Sequence, residues 1–127
     1  MFQPISITAI ASISPLGNNP KTIWENYLSD KHFFIHKPIG NKDVFVAELD
    51  NESKLQIEEL RKSDVKYKSL DETVLYAIFV ARKAIQNAGW GKGDEFGINI
   101  GSSRGATQLF EKHYKDFLAT GKSQTLA

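Results

Sequence analysis

The stretch FGINIGSSRGATQLF, residues 96–110, decides how the chain is read. An apolar β-prone run, Phe96-Gly97-Ile98-Asn99-Ile100, meets a loop of small residues, Gly101, Ser102, Ser103, Arg104 and Gly105, and a helix-like segment follows. Strand, glycine turn and helix in that order are the joint from which α/β proteins are built. Backbone amides at such a turn can hold an anion, so the first question is whether the loop is a nucleotide site. The spacing argues against it. A P-loop carries Lys and then Ser or Thr after its second Gly, whereas Ala106-Thr107 follows Gly105. The dinucleotide pattern G-x-G-x-x-G is missing too, because Gly97, Gly101 and Gly105 are spaced more widely. The string around Ser103 matches the G-x-S-x-G of a nucleophile elbow, but no Asp and His follow it in the required order, and His113 is the one histidine downstream.

Working outward, the segment 69–88 has the strongest helical pattern. Leu70, Val74, Ala77, Ile78, Ala81, Ala84, Ile85 and Ala88 hold one face at helical spacing, and S-L-D-E at 69–72 reads as a capping box started by Ser69. Leu75, Phe79 and Val80 widen the stripe, which predicts cover on more than one side. Gly89 supplies a left-handed stop. Helices are also predicted over 20–29, with Asn19 as cap and Pro20 in the first turn, over 51–62, and from Gly105 or Ala106 to about Gly121. The β-branched run ISITAIASIS at 5–14 predicts a strand buried on both faces, and VFVAEL at 44–49 a short strand. The segment 30–43 lacks a clean period and reads as a loop, and the tail 122–127 has no partner signal. The order strand, helix, strand, helix, helix, strand, helix predicts an α/β fold with a mostly parallel sheet and crossover helices. Three strands make that sheet thin for so many helices.

Composition narrows the function. The 127 residues are one domain's worth of chain, and 16 basic against 15 acidic residues leave a net charge of +1. No global field draws such a chain to nucleic acid or to a membrane surface. No apolar run approaches the roughly 20 residues needed to span a bilayer, and MFQPISITAI lacks the basic region of a signal peptide. Cytosol is the default expectation. Cysteine is absent, which removes disulfides, zinc–thiolate sites and a Cys nucleophile from these residues. His32 and His36 are four apart, but Phe33-Phe34 and Pro38 argue against a helix that would align them, so no metal is expected there. His113, between Lys112 and Lys115, is expected on a solvated helix face. The basic cluster Arg61, Lys62, Lys66 and Lys68 is either a solvated face or a surface for an acidic partner.

Taken together, the motifs resemble the N-terminal portion of a β-ketoacyl-acyl carrier protein synthase, of the thiolase-like superfamily. ISITAIASISPLGNNPKTIWENYLSDK is similar to that family's opening strand, S-P-L-G turn and Trp-bearing helix. SLDETVLYAIFVARKAIQNAGW, FGINIGSSRGAT and FEKHYKDFLATG follow in the family's order, so the likeness covers nearly the whole chain. The resemblance implies an incomplete N-terminal part of a thiolase-like fold, residues 1–127 being a single domain or fragment of a longer synthase. It implies decarboxylating Claisen chemistry in fatty acid or polyketide synthesis, with a Cys nucleophile supplied elsewhere, so no catalytic residue is assigned here. It implies no cofactor. Acyl carrier protein, the remainder of the synthase and a second copy of the chain are the implied partners. The loop of Gly101, Ser102, Ser103, Arg104 and Gly105 would border the acyl pocket, with Arg104 where elongating members carry an apolar gate residue. Arg61, Lys62, Lys66 and Lys68 would face the acidic carrier. A stand-alone α/β anion-binding or interaction domain, and a non-catalytic chain-length-factor-like subunit, remain as alternatives.

Overall fold

The computed structural model describes residues 4–122. Its elements run α1 (Pro20–Tyr27), β1 (Phe34–Ile39), β2 (Lys42–Ala47), α2 (Asn51–Ser63), a 3-10 turn (Val65–Tyr67), α3 (Glu72–Asn87) and α4 (Thr107–Thr120). The helices fall where periodicity and caps place them. Asn19 accepts from the Lys21 amide at 2.9 Å ahead of Pro20, and Gly121 closes α4 in the left-handed region at φ 66°. The cap of α3 is a correction. Asp71 rather than Ser69 fills that position, its carboxylate accepting from the Thr73 amide.

The strands differ more. Among the described residues the one sheet is two-stranded and antiparallel, β1 against β2, with Phe34 opposite Ala47 and Ile39 opposite Lys42. The segment 30–43 is therefore not a plain loop, because the whole of β1, the turn and the start of β2 lie in it. Gly40 takes φ 59°, as a two-residue hairpin loop with Gly in its first position demands. The expected strands at 5–14 and 96–100 are not formed, and the mostly parallel sheet is not seen. Both segments are exposed along most of their length: Ile5 is 98 % and Ile98 65 % accessible. Their β-branched residues favour extended backbone, but a strand also needs a neighbour to pair with.

The core lies between α2 and α3. Ile57, Leu60 and Leu75 are buried, and Ile13, Leu49, Tyr67, Leu70, Tyr76, Ile78 and Phe79 pack around them. A polar knot ties the N-terminal turn to this pair of helices. Buried Asn18 donates to Ser53 Oγ at 2.8 Å and to Gln56 Oε1 at 3.0 Å, both on α2. Lys83 of α3 donates to the Asn18 carbonyl and, at 2.7 Å, to its Oδ1. Gly17, at φ 115°, lets the chain enter this knot; a Cβ there would sit 3.4 Å from Thr22 and 3.5 Å from the Asp50 carboxylate. The hairpin is joined to α2 by Glu48, which pairs with Lys37 at 2.5 Å and Lys54 at 2.6 Å. Hydrogen bonds first from Lys37, then from Lys54, hold its carboxyl at about 2.

Candidate functional site

The loop of Gly101, Ser102, Ser103, Arg104 and Gly105 lies on the surface immediately before α4. Its shape comes from its own residues. The Gly105 amide donates to Ser102 Oγ at 2.9 Å, and the Thr107 amide to the Gly105 carbonyl at 3.0 Å. Gly105 has φ 63°, where any Cβ brings strain. Ser102 is thereby used to brace the turn. Neither Ser102 nor Ser103 is hydrogen-bonded to a histidine among the described residues, so the elbow string at Ser103 has no base beside it. Arg104 is exposed and has no carboxylate partner among the described residues.

α4 takes its cap from a distance. Ala106 stands at its N-cap position and has no side chain to offer. The Gln108 amide donates instead to Asp71 Oδ2 at 3.2 Å, across 37 positions of sequence. Asp71 Oδ1 meanwhile accepts from the Thr73 amide at 2.9 Å and the Thr73 hydroxyl at 2.8 Å. One buried carboxylate thus caps α3 and α4 together. Burial pushes the Asp71 carboxyl up, but hydrogen bonds from Thr73 and from the Gln108 and Leu109 amides outweigh it, and the net shift is downward. It stays ionised, as the positive ends of two helices favour. Sequence reading missed this role. Asp two residues before Thr73 is a good cap signal, but nothing local points to Gln108.

The basic residues separate into two groups. Arg61 is half-buried; its guanidinium donates to the Leu70 carbonyl at 2.8 Å and lies 3.4 Å from Glu58, so it fastens α2 to the approach of α3. Lys62 is exposed and 3.7 Å from Glu58. Lys66 and Lys68 are exposed and have no ion-pair partner among the described residues. Arg82, which the sequence did not single out, joins this face: it lies 5.4 Å over the Tyr67 ring and donates to its hydroxyl at 2.7 Å. Of the histidines, His36 contacts Asp43 at 2.8 Å and lies against Phe45. His113 is a correction: both ring nitrogens are shielded from solvent and lack a partner among the described residues, so its ring is not on a solvated face. No described helix is long and apolar enough to cross a membrane.

Comparison with known proteins gives this geometry its family. A family model described as Beta-ketoacyl synthase, N-terminal domain, matches residues 2–126. The chain belongs to the β-ketoacyl synthase family. Membership implies the α/β, thiolase-like fold class even though the paired strands described here are antiparallel. The 3-oxoacyl-[acyl-carrier-protein] synthase 2 of Staphylococcus aureus (strain COL) is 29% identical over 123 residues, which is 92% of this chain and 29% of that protein. The enzyme of that name from Coxiella burnetii (strain RSA 493 / Nine Mile phase I) is 28% identical over 130 residues, again 92% and 29%. The chain therefore spans under a third of the length of these curated relatives. No solved structure matches it.

Proposed function

We propose that these residues are the N-terminal part of a 3-oxoacyl-acyl carrier protein synthase, which extends an acyl chain by decarboxylating condensation in fatty acid synthesis. The observation that carries the reading is the family match over 2–126, which includes the exposed glycine loop at the head of α4. In this reading residues 1–127 form one unit of a larger enzyme. The segments 5–14 and 96–100 become strands of a mostly parallel sheet when the remainder of the synthase and a second copy of the chain lie against them. Ile5, Ile7, Ile98 and Ile100 are the apolar side chains such cover would bury. The soluble acyl carrier is the partner, and the reaction is cytoplasmic.

Gly101, Ser102, Ser103, Arg104 and Gly105 border the acyl pocket in this reading, and Arg104 sets which chains enter. Where the pocket is covered in the synthase, a long alkyl chain lying against the guanidinium would desolvate it, at a cost of roughly several kcal/mol. A short or polar acyl group avoids that cost. Arg104→Ile in the synthase carrying this chain is expected to raise kcat/KM for long acyl groups about tenfold or more. Because Arg104 is exposed and without a carboxylate partner among the described residues, its melting transition should stay within about 0.5 kcal/mol of the parent. A steady-state comparison of short and long acyl-carrier substrates tests the reading; an unmoved chain preference overturns the gate.

Lys62, Lys66 and Lys68 form the docking face for the acidic carrier, with Arg61 bracing the helix behind them. Each exposed contact contributes under about 1 kcal/mol. Reversing all three to Glu is therefore the informative change. Stopped-flow association with the carrier should slow and lose its salt dependence; unchanged association kinetics would remove this face from the interaction.

A further inference from the structure

The loop 101–105 is placed by something outside itself, because its own hydrogen bonds fix only its local shape. It is continuous with α4, so whatever holds α4 holds the loop. α4 packs little on the other elements: Phe110, Tyr114, Phe117 and Leu118 are 70 %, 55 %, 48 % and 65 % accessible. Among the described residues, Asp71 is the side chain that links α4 by hydrogen bonds to any part of the chain beyond the loop that leads into it. Asp71 is itself fixed, being buried and held by Thr73 at the head of α3, the helix that carries buried Leu75. A carboxylate suits this position better than a neutral cap. Both its oxygens accept, so one can serve each helix, and its charge faces two helix N-termini at once.

We infer that Asp71 is a positioning residue for the acyl-pocket loop: by capping α3 and α4 with one carboxylate, it sets the place of the loop 101–105 against the α2–α3 core. The inference rests on the acyl-pocket reading for its consequence in specificity, but not for the clamp itself. Asparagine keeps the size of Asp71 and one accepting oxygen, and it remains a good cap for α3. Its amide nitrogen cannot accept from the second helix. Serine also caps α3, but is too short to span to Gln108.

The clamp is tested by amide hydrogen exchange on the 127-residue chain. In Asp71→Asn and in Asp71→Ser, exchange at Gln108 and Leu109 is expected to rise about tenfold or more, the effect of losing a hydrogen bond to a buried charge. Exchange at Thr73 and through α2 should stay near the parent value. Unchanged exchange at Gln108 overturns the clamp. An equal rise at Thr73 and through α2 also overturns it, because Asp71 would then support the whole fold rather than the junction. The consequence is tested in the synthase carrying this chain, where Asp71→Asn should raise KM for long acyl substrates severalfold with kcat much less affected. If Asp71→Asn leaves KM unmoved while Arg104→Ile shifts chain preference, the positioning role is wrong and the pocket reading stands. If neither variant moves chain preference, the pocket reading is wrong, and the specificity role of Asp71 falls with it.

Discussion

Leu75→Ala is expected to unfold the chain over much of the temperature range in which the parent is folded. Leu75 is fully buried, and Ile57 and Leu60 are the only other buried apolar residues among those described. Truncating a buried Leu costs about 2–5 kcal/mol, through lost burial and through the cavity left behind. Natural domains have about 5–15 kcal/mol of stability in all, and a core this small places the chain toward the low end of that range. Leu75 also lies at the seam where α3 meets α2, so the cavity would open between the two helices that carry the Asn18–Lys83 knot. Urea melts followed by far-UV circular dichroism measure the loss. Leu55→Ala is the control: Leu55 lies on α2, the helix facing Leu75, but is 65 % exposed, and its truncation should cost within about 0.5 kcal/mol. Equal melting of the two variants would mean that Leu75 is not the centre of the core.

The contrast between Leu75 and the strands explains what was legible in the sequence. Helices are written locally. The stripe of α3 and the Asn19-Pro20 start of α1 lie within a turn or two of the residues they govern, so spacing and caps recover them. A strand is written locally only in its propensity, and its existence depends on a distant partner. Residues 5–14 and 96–100 have the composition of strands and stand unpaired here, while β1 forms despite Pro38 because Gly40 and Asn41 bring Lys42–Ala47 back beside it. The Gly40-Asn41 dipeptide was the available signal for that hairpin.

The candidate site divides the same way. Glycine spacing exposes the loop 101–105, since a left-handed turn demands Gly105 wherever the rest of the chain goes. The double cap at Asp71 is invisible, because Gln108 is remote in sequence and Ala106 gives no hint that its helix borrows a cap. Charge counting also overstates the basic patch. Arg61 has the same formal charge as Lys66, but it is committed to the Leu70 carbonyl and Glu58. Only the fold separates a cation that braces a helix from one left free to meet a partner.

The second large effect is on chemistry. The 127 residues alone are expected to give no condensation product from acyl and malonyl carrier proteins. Condensation of this kind passes the acyl group through a nucleophile, and a thiolate is effective at neutral pH because it is nucleophilic without a base to activate it further. There is no Cys in the sequence. Within the glycine loop the hydroxyls of Ser102 and Ser103 are the candidates, and a serine needs a base within hydrogen-bond reach. The Ser102 hydroxyl instead receives the Gly105 amide, and Ser103 has no histidine bonded to it among the described residues. The ring nitrogens of His113 are shielded from solvent and unpartnered among the described residues, so they are not engaged with either hydroxyl. Lys83 is not a substitute, because its ammonium is committed to Asn18. Intact-mass analysis after incubation with acyl-carrier substrate should therefore show no acylated chain, and product analysis no 3-oxoacyl carrier above background. An acyl adduct on Ser102 or Ser103 would overturn the assignment of this loop as a pocket border and make it a nucleophile-bearing turn. Because the acyl group would then be held within two residues of Arg104, the same adduct would also place the guanidinium close to the reacting ester rather than along the path of the alkyl chain.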